Sequence, residues 1–515
     1  MGAPSSLLGN ARAFARDFPR DRMPPGYLWD VVDYVPTVID ANLSSRGPWI
    51  WGSAAMTGDA ETVIYAPYLN GDKLLVQTTN GRLFEVLPDS PYTVTDRGAL
   101  PRARQNPILF VDTVVHFDTA RAMTPRLITN VGGTPTIGAA NGAHKFSPVG
   151  CVYKSRLVTG GAPGEENRVR FSVVNQLLTA AASYDNLSFI DTDLPVSALA
   201  ALRAVILVFH PGSVGRIRGA TPPSSPDDDG DMNPEPLFDR AGCSEPRTIA
   251  YWNDNVIFAD EHGVHVTDGA VIRNLVSQGS ILYFWRMLYQ YKLTMAACTF
   301  LDYYLITVRR TDGLNVTLVC DLNKRQWFRF SNFYALVYIA SSGGGGMERV
   351  WGGMAGSNRL ARIGPTFFPD LTLGLTADAD GTPVLPVIET PWYRLGKEGR
   401  KRVRFGYLSY DVRTTATATR QPEFEPEALA PPLVPPELLA TLAPVLDVGY
   451  VASPQDPAYV SMGGLPPTNG YTRYRLPLGQ FPYGVAFRVK QTAPGVVTRI
   501  FDLATEAQPG ETSRI

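Results

Sequence analysis

The feature that most constrains how this chain can fold is a short meander that recurs along it. In Arg247 to Leu275 an apolar run, Thr248 to Trp252, meets Asn253-Asp254-Asn255. A second run, Val256 to Ala259, meets Asp260 to Gly263, and a third, Val264 to Thr267, meets Asp268-Gly269. Short apolar runs punctuated by Asn, Asp and Gly read as antiparallel hairpins, because these residues supply the positive φ or the side-chain hydrogen bonds that tight turns need. One such sheet is too small to bury a face alone, so its fold depends on whether similar sheets follow.

They do. Thr62 to Pro67, Lys73 to Thr78 and Arg82 to Leu87 are separated by Asn70-Gly71-Asp72 and by Asn80-Gly81, which reads as a two-residue hairpin turn. A second unit runs from Pro107 through ILFVDTVVHFD and RLITNVGG. A third holds Gly150 to Gly160 and Arg168 to Val173, and a fourth holds Val205 to His210 before Pro211-Gly212-Ser213. After the Arg247 unit come Met295 to Thr299, Tyr303 to Arg309, Val316 to Asp321 and Lys324 to Phe330. Ala335 to Ala340, Val350 to Gly353 and Arg359 to Gly364 close the series. The meanders recur at roughly 45-residue spacing, the interval of four-stranded propeller blades. The chain is therefore expected to be all-β, with a β-propeller of six to eight blades, seven favoured, over residues 46–372. Paired β-sandwiches would also give short strands, but not one meander repeated at near-constant spacing. Leu275 to Lys292 interrupts the pattern with apolar residues at mixed three- and four-residue steps, as in a short helix on the propeller or in two further strands.

The flanks differ. Residues 1–45 mix Arg, Pro and Gly with isolated aromatics and read as an extended arm lying on another surface, its own or a neighbour's. From 373 to 515 longer alternating runs appear: Val384 to Tyr393, Arg400 to Val412, Tyr471 to Leu476, Gly484 to Thr492 and Val496 to Leu503. In the fourth of these Val485, Phe487 and Val489 alternate with Ala486, Arg488 and Lys490. This predicts a β-sandwich-like C-terminal domain, with the Pro-rich stretch 421–444 as a stiff insertion.

With a formal net charge of −1 and 18% charged residues, the chain carries no basic field that would make nucleic-acid binding its main task. The start lacks a signal-peptide core and no run reaches membrane-spanning length, so neither secretion nor stable membrane insertion is expected. Cys151, Cys243, Cys298 and Cys320 show no metal-ligand spacing and read as buried free thiols.

The motifs of hydrolases, P-loops and dinucleotide sites do not occur, so no catalytic residue and no cofactor is expected. His262 and His265 flank Gly263 and read as turn and strand surface. Asp227, Asp229 and Asp231 come nearest to a metal loop, but the glycine falls one place early for an EF-hand, and a solvated acidic loop is the preferred reading. Gly343 to Gly346 reads as a flexible turn. Arg394, Lys397, Arg400, Lys401, Arg402 and Arg404 form the one basic cluster. It reads either as a solvated turn and strand edge guarded against pairing, or as a contact surface for a neighbouring subunit or an acidic partner.

The strings KSRLVTGGAPGEENRVRFSVVN, LVFHPGSVGRIRGATP and AGCSEPRTIAYWNDNVIFADEHGVHVTDG, with GYLSYDV, GVAFRVKQT and VVTRIFDL further on, resemble the propeller and following sheet domain of bacteriophage tail nozzles. These are virion proteins of the tail tubular protein B and packaged-DNA stabilisation type. The resemblance implies a non-enzymatic ring subunit, a homo-hexamer placed below the portal and adaptor and contacting tail fibres or spikes. DNA would pass through its lumen without tight binding, and the protein would be located in the virion. The chain is shorter than typical nozzles, which leaves open a hub of a longer tail. The alternative is a glycan-binding or glycan-cleaving propeller, but no Asp-box repeat of the sialidase type accompanies the abundant Tyr and Arg.

Overall fold

In the computed structural model the described residues are 49–66, 73–87, 93–102, 107–110, 112–116, 126–138, 147–175, 184–223, 230–276, 281–311, 313, 315–342 and 348–363. Shorter pieces flank them at 5–6, 13–14, 27–28, 30–36 and 43–45, and at 384, 386–389, 401–413, 446–451, 459–465, 472–477, 480–481, 486–492 and 497–508.

Seven four-stranded antiparallel units stand in sequence among these residues. The first is Ala60–Ala66, Lys73–Thr78, Arg82–Val86 and Val94–Ala99, and the second is Ile108–Phe110, Thr113–His116, Arg126–Thr129 and Thr136–Gly138. The third is Val149–Tyr153, Arg156–Ala162, Glu165–Ser172 and Tyr184–Asp191. The fourth is Ala198–Ala201, Val205–Phe209, Val214–Arg218 and Asn233–Phe238, and the fifth is Ala250–Trp252, Asn255–Asp260, Gly263–Thr267 and Ile272–Asn274. Ala296–Phe300, Tyr303–Val308, Val316–Asp321 and Gln326–Phe330 make the sixth. The seventh has three strands from its own stretch, Ala335–Ser342, Glu348–Met354 and Leu360–Ile363, and takes its outer strand, Ile50–Trp51, from the other end of the ring. The first strand of the seventh unit adjoins the first strand of the first, so the units close into a β-propeller.

The closure is fastened by side chains. Leu360 N donates to Ser53 Oγ at 2.8 Å, and the Asp59 carboxylate accepts from Gly356 N at 2.7 Å and Asn358 N at 3.3 Å. Behind these bonds Met56, Ala60, Val63 and Phe84 of the first blade share an apolar core with Val337, Trp351 and Leu360 of the seventh. Equivalent cores lie between the third and fourth blades and between the fourth and fifth.

Turn chemistry follows the sequence with one change. Asn253 and Asp254 both hold positive φ, 43° and 60°, as a two-residue hairpin with right-handed strand twist requires. At Asn80-Gly81 only the glycine is left-handed, at φ 70°, and the loop is Thr79 to Gly81. This is the three-residue turn in which the αL residue forms a bulge, not the two-residue turn the dipeptide suggests.

Leu275 to Lys292 resolves as a helix, α1 (Leu282–Tyr289), followed by a 3₁₀ turn (Lys292–Thr294). Trp285 and Leu288 are buried, three residues apart on the face packed against the blades, and the Trp285 indole N–H donates to Asp260 O at 2.7 Å.

The arm is built into the body. Its strand Asp30–Val32 pairs in parallel with the outer strand of the sixth blade, Val32 against Arg329, and antiparallel with Val387–Glu389. Val387–Glu389 pairs in turn with Ala486–Gln491, which pairs with Leu446–Val451, and that strand pairs with Val460–Leu465. One nine-stranded sheet thus runs from the inside of the sixth blade to the edge of the C-terminal domain. Arg329 Nη2 reaches Asp30 Oδ2 at 2.6 Å, and Asp33 accepts from Ser331 N at 2.8 Å and from the Ser331 hydroxyl. Leu28, Val31 and Tyr34 share one core with Trp327, Phe330, Ile388, Val448, Phe487 and Val489. In the Gly484 to Thr492 run Phe487 and Val489 are buried while Arg488 and Lys490 are half-buried, as alternation predicts; Ala486 is buried too. A second C-terminal sheet orders Thr472–Pro477, Lys401–Arg413, Val497–Gln508, Leu43–Ser45 and Tyr34–Pro36, so the arm contributes strands to both C-terminal sheets.

Candidate functional site

A concavity lies on one face of the propeller, where the fourth and fifth blades meet the end of α1. It has a volume of about 550 Å³ and is lined by Asp239, Arg240, Glu261, His262, Tyr289 and Lys292, with Asp260 at its base. The fourth blade supplies the Pro211-Gly212 turn and the connection through Arg240 to Ser244. The fifth supplies the Asp260-to-Gly263 turn, and the helix end supplies Tyr289 and Lys292.

Asp260 holds this corner together. Its Oδ1 accepts from His262 N at 2.7 Å, Gly263 N at 3.0 Å and His265 Nε2 at 2.7 Å, and its Oδ2 accepts from Gly242 N at 3.2 Å. His265 is buried and stacks on Phe258 with ring centroids 5.1 Å apart. The expectation that both histidines are surface groups therefore holds for His262, which is exposed, and fails for His265. The reason is that Asp260, across the hairpin, gives the imidazole a charged partner inside the blade. With four donors on its two oxygens, Asp260 acts as a strut; the pair is not arranged as a general-base relay. Gly242 is required there by close approach, since a Cβ would lie 2.3 Å from His210 O. Burial pushes the Tyr289 hydroxyl up to about 12, keeping it a neutral donor or acceptor at the rim.

The cations around this cavity differ from those elsewhere on the ring. Arg82, Arg97, Arg102, Arg168, Arg170 and Arg216 each sit against a carboxylate of their own blade. Arg240 and Arg286 are exposed, Lys292 is half-buried over the Tyr289 ring at 5.5 Å, and none of the three has a carboxylate partner among the described residues. On α1 and the turn after it Tyr283 (64% exposed), Met287 (39%) and Leu293 (64%) present apolar surface. Tyr283 and Met287 are one helical turn apart and share the outer face of α1. Sequence reading missed this group because Arg240 and the α1 residues belong to no motif. The visible signal was the excess of apolar residues in α1, more than one buried face can use.

A smaller hollow of about 250 Å³ lies between the third and fourth blades. His210 faces it, with Nδ1 bonded to Pro195 O at 2.8 Å and its pKa lowered by burial, so the imidazole is kept neutral.

The predicted site residues fall apart in space or outside view. Asp231 is exposed, and its Oδ1 accepts from Ala220 N at 2.8 Å and also from Thr221 N. These backbone bonds hold its carboxyl below the ordinary range, so it serves as a turn cap. Asp227 and Asp229 lie outside the described residues, as do Gly343 to Gly346 and Arg394, Lys397 and Arg400. Lys401, Arg402 and Arg404 lie on Lys401–Arg413, where Arg402 pairs on both sides, with Gln480 and Gln508, and Lys401 pairs with Phe481. All four cysteines are buried and free. Among the described residues no three His, Cys, Asp or Glu side chains converge in a way that could hold a metal ion, and no helix is long and apolar enough to cross a membrane.

No protein-family model matches the chain, and no curated protein matches it. Among solved structures the chain is similar to BamB from Moraxella catarrhalis, with 10% identity and a TM-score of 0.35 over 64% of this chain and 93% of that one. It is also similar to BBS1N, in a complex with ARL6DN soaked with lead, with 12% identity and a TM-score of 0.39 over 62% of this chain and 98% of that one.

Proposed function

We propose that the chain is a non-enzymatic structural subunit of a ring, the nozzle or hub of a bacteriophage tail through which DNA is retained and then ejected. The observation that carries this reading is the nine-stranded sheet joining the sixth blade, the arm strand Asp30–Val32 and the C-terminal domain. Backbone pairing at both junctions, backed by Asp30–Arg329 and Asp33–Ser331, means that the propeller and the domain beyond it cannot move independently without breaking a ladder. Such coupling suits a part that transmits mechanical load. The resemblance of the propeller and sheet-domain strings to tail nozzles supports the same assignment. A near-neutral chain also limits drag on DNA moving through a lumen, since each phosphate contact adds salt-dependent affinity.

The test is the assembly state of purified protein, by mass photometry and negative-stain imaging, alone and with portal-side tail components. A closed six-fold ring that stacks on those components is the expected result. A chain that stays monomeric through the micromolar range and ignores them, or that turns over glycans in a way abolished by one carboxylate substitution, overturns the reading.

A further inference from the structure

We infer that the hollow between the third and fourth blades is a binding site for an aliphatic cation, a protonated amine or guanidinium carried on a short hydrocarbon stem. Two of the carboxylates on its wall are already matched. Asp191 takes Arg168 on both oxygens, at 2.7 and 2.9 Å, and Glu235 takes Arg216, which also donates to Gly269 O at 2.9 Å. Asp193 and Asp239, which line the same hollow, are exposed and pair with no cation among the described residues. Arg240, the residue after Asp239, lines the neighbouring cavity and not this one. The hollow therefore keeps two carboxylates in excess.

A buried acceptor points the same way. His210 is 6% exposed, and its Nδ1 carries the ring proton, because Pro195 O, 2.8 Å away, can only accept. Nε2 is left with a lone pair that no donor among the described residues reaches. Burial keeps the ring neutral, and Asp193 lies close enough for its charge to act on it. The approach to Nε2 is open because residue 215 is glycine: a Cβ there would stand 3.8 Å from that nitrogen. A buried lone pair without a donor, beside two unpaired carboxylates, calls for a ligand that is cationic and donates N–H.

The rest of the lining sets the ligand's form. His210, Asp193 and Asp239 do not converge tightly enough to hold a metal ion, so a compact cation cannot serve all three. Leu194, Val214, Ile217, Pro234 and Pro236 also line the hollow and suit a hydrocarbon stem, as the stems of Lys and Arg lie along apolar surface. The volume of about 250 Å³ falls below the ~300–1,000 Å³ of sites for drug-sized ligands, so the stem is short.

The experiment is a titration of the full chain, ¹³C-labelled at histidine Cε1, with putrescine and with agmatine near neutral pH. The His210 signal, identified by its absence from His210→Gln, is expected to shift saturably with both. The neutral diol of putrescine's length and the dianion glutarate are expected to leave it in place. Asp193→Asn and Asp239→Asn should each weaken binding about five-fold, and salt near ~0.5 M should weaken it similarly. Gly215→Ala, whose Cβ would meet its neighbours at ordinary contact distances, should abolish the shift. Unmoved signals from the other histidines show that each variant is folded. A Lys or Arg side chain shares this chemistry, and the chain's own basic run holds Arg394, Lys397 and Arg400. Changing these three to Gln separates the sources: tighter amine binding assigns the hollow to that run, and unchanged binding assigns it to a ligand from solution. No saturable shift with either cation, an equal shift with the diol, or Asn variants that bind as tightly as the parent overturns the inference.

Discussion

His265 Nε2 lies 2.7 Å from Asp260 Oδ1 in the interior of the fifth blade, and the same oxygen caps the turn that joins their two strands. Asp260→Ala strands four donors at once, including a buried imidazole. It is expected to destabilise the fold by about 3–5 kcal/mol, read as a drop in the denaturant midpoint. His265→Ala, which removes one donor and leaves Asp260 three others, is expected to be milder.

The joint between propeller and C-terminal domain depends on Asp33. Asp33→Ala deprives Ser331 N and its hydroxyl of their acceptor, at about 1–3 kcal/mol. Calorimetry should then split one melting transition into two as the C-terminal sheet comes away first. A single transition at an unchanged temperature would count against the coupled-sheet reading.

Ring closure gives a local signature. Asp59→Ala removes the acceptor for Gly356 N and Asn358 N. Hydrogen exchange should accelerate at 52–58 and 356–360 while the third and fourth blades keep their protection.

One hairpin is held in an unfavourable conformation. Lys154 and Ser155 occupy φ 46° and 59° in the two-residue turn between Tyr153 and Arg156, where neither is a residue that favours left-handed backbone. Ser155→Gly is expected to stabilise the protein by about 0.5–1 kcal/mol, read in urea unfolding.

The thiols report on pH. Burial pushes Cys151 and Cys243 up to about 12 and Cys320 well above its ordinary 9.0. The folded state holds these protons longer than the unfolded chain does. Stability from this source is therefore complete below pH 9 and falls as pH rises above it, because the unfolded chain ionises first. Ellman titration at pH 8 should find these thiols unreactive until denaturant is added.

Most of the ring was legible because each blade repeats period-two apolar runs between turn formers whose φ requirements are local. The closing strand was not, since two residues, Ile50 and Trp51, show no period; only Leu360–Ile363 gives them a sheet. Asp30–Val32 is short for the same reason, and its buried Asp30 reads as solvent-facing until Arg329 is brought against it. The cations of the candidate site come from residues 240 and 292, and folding alone gathers them.

The bond from Leu360 N to Ser53 Oγ spans 307 residues, so a nascent chain cannot close its ring as it emerges. At a translation rate of about 5–20 residues per second, Ile50 and Trp51 wait roughly 15–60 s for the sheet they complete. The first six blades therefore face solvent as an open arc, with the first and last of them lacking a neighbour on one flank. A ribosome that stalls before Leu360 releases a product that cannot be finished, however well its early blades have folded.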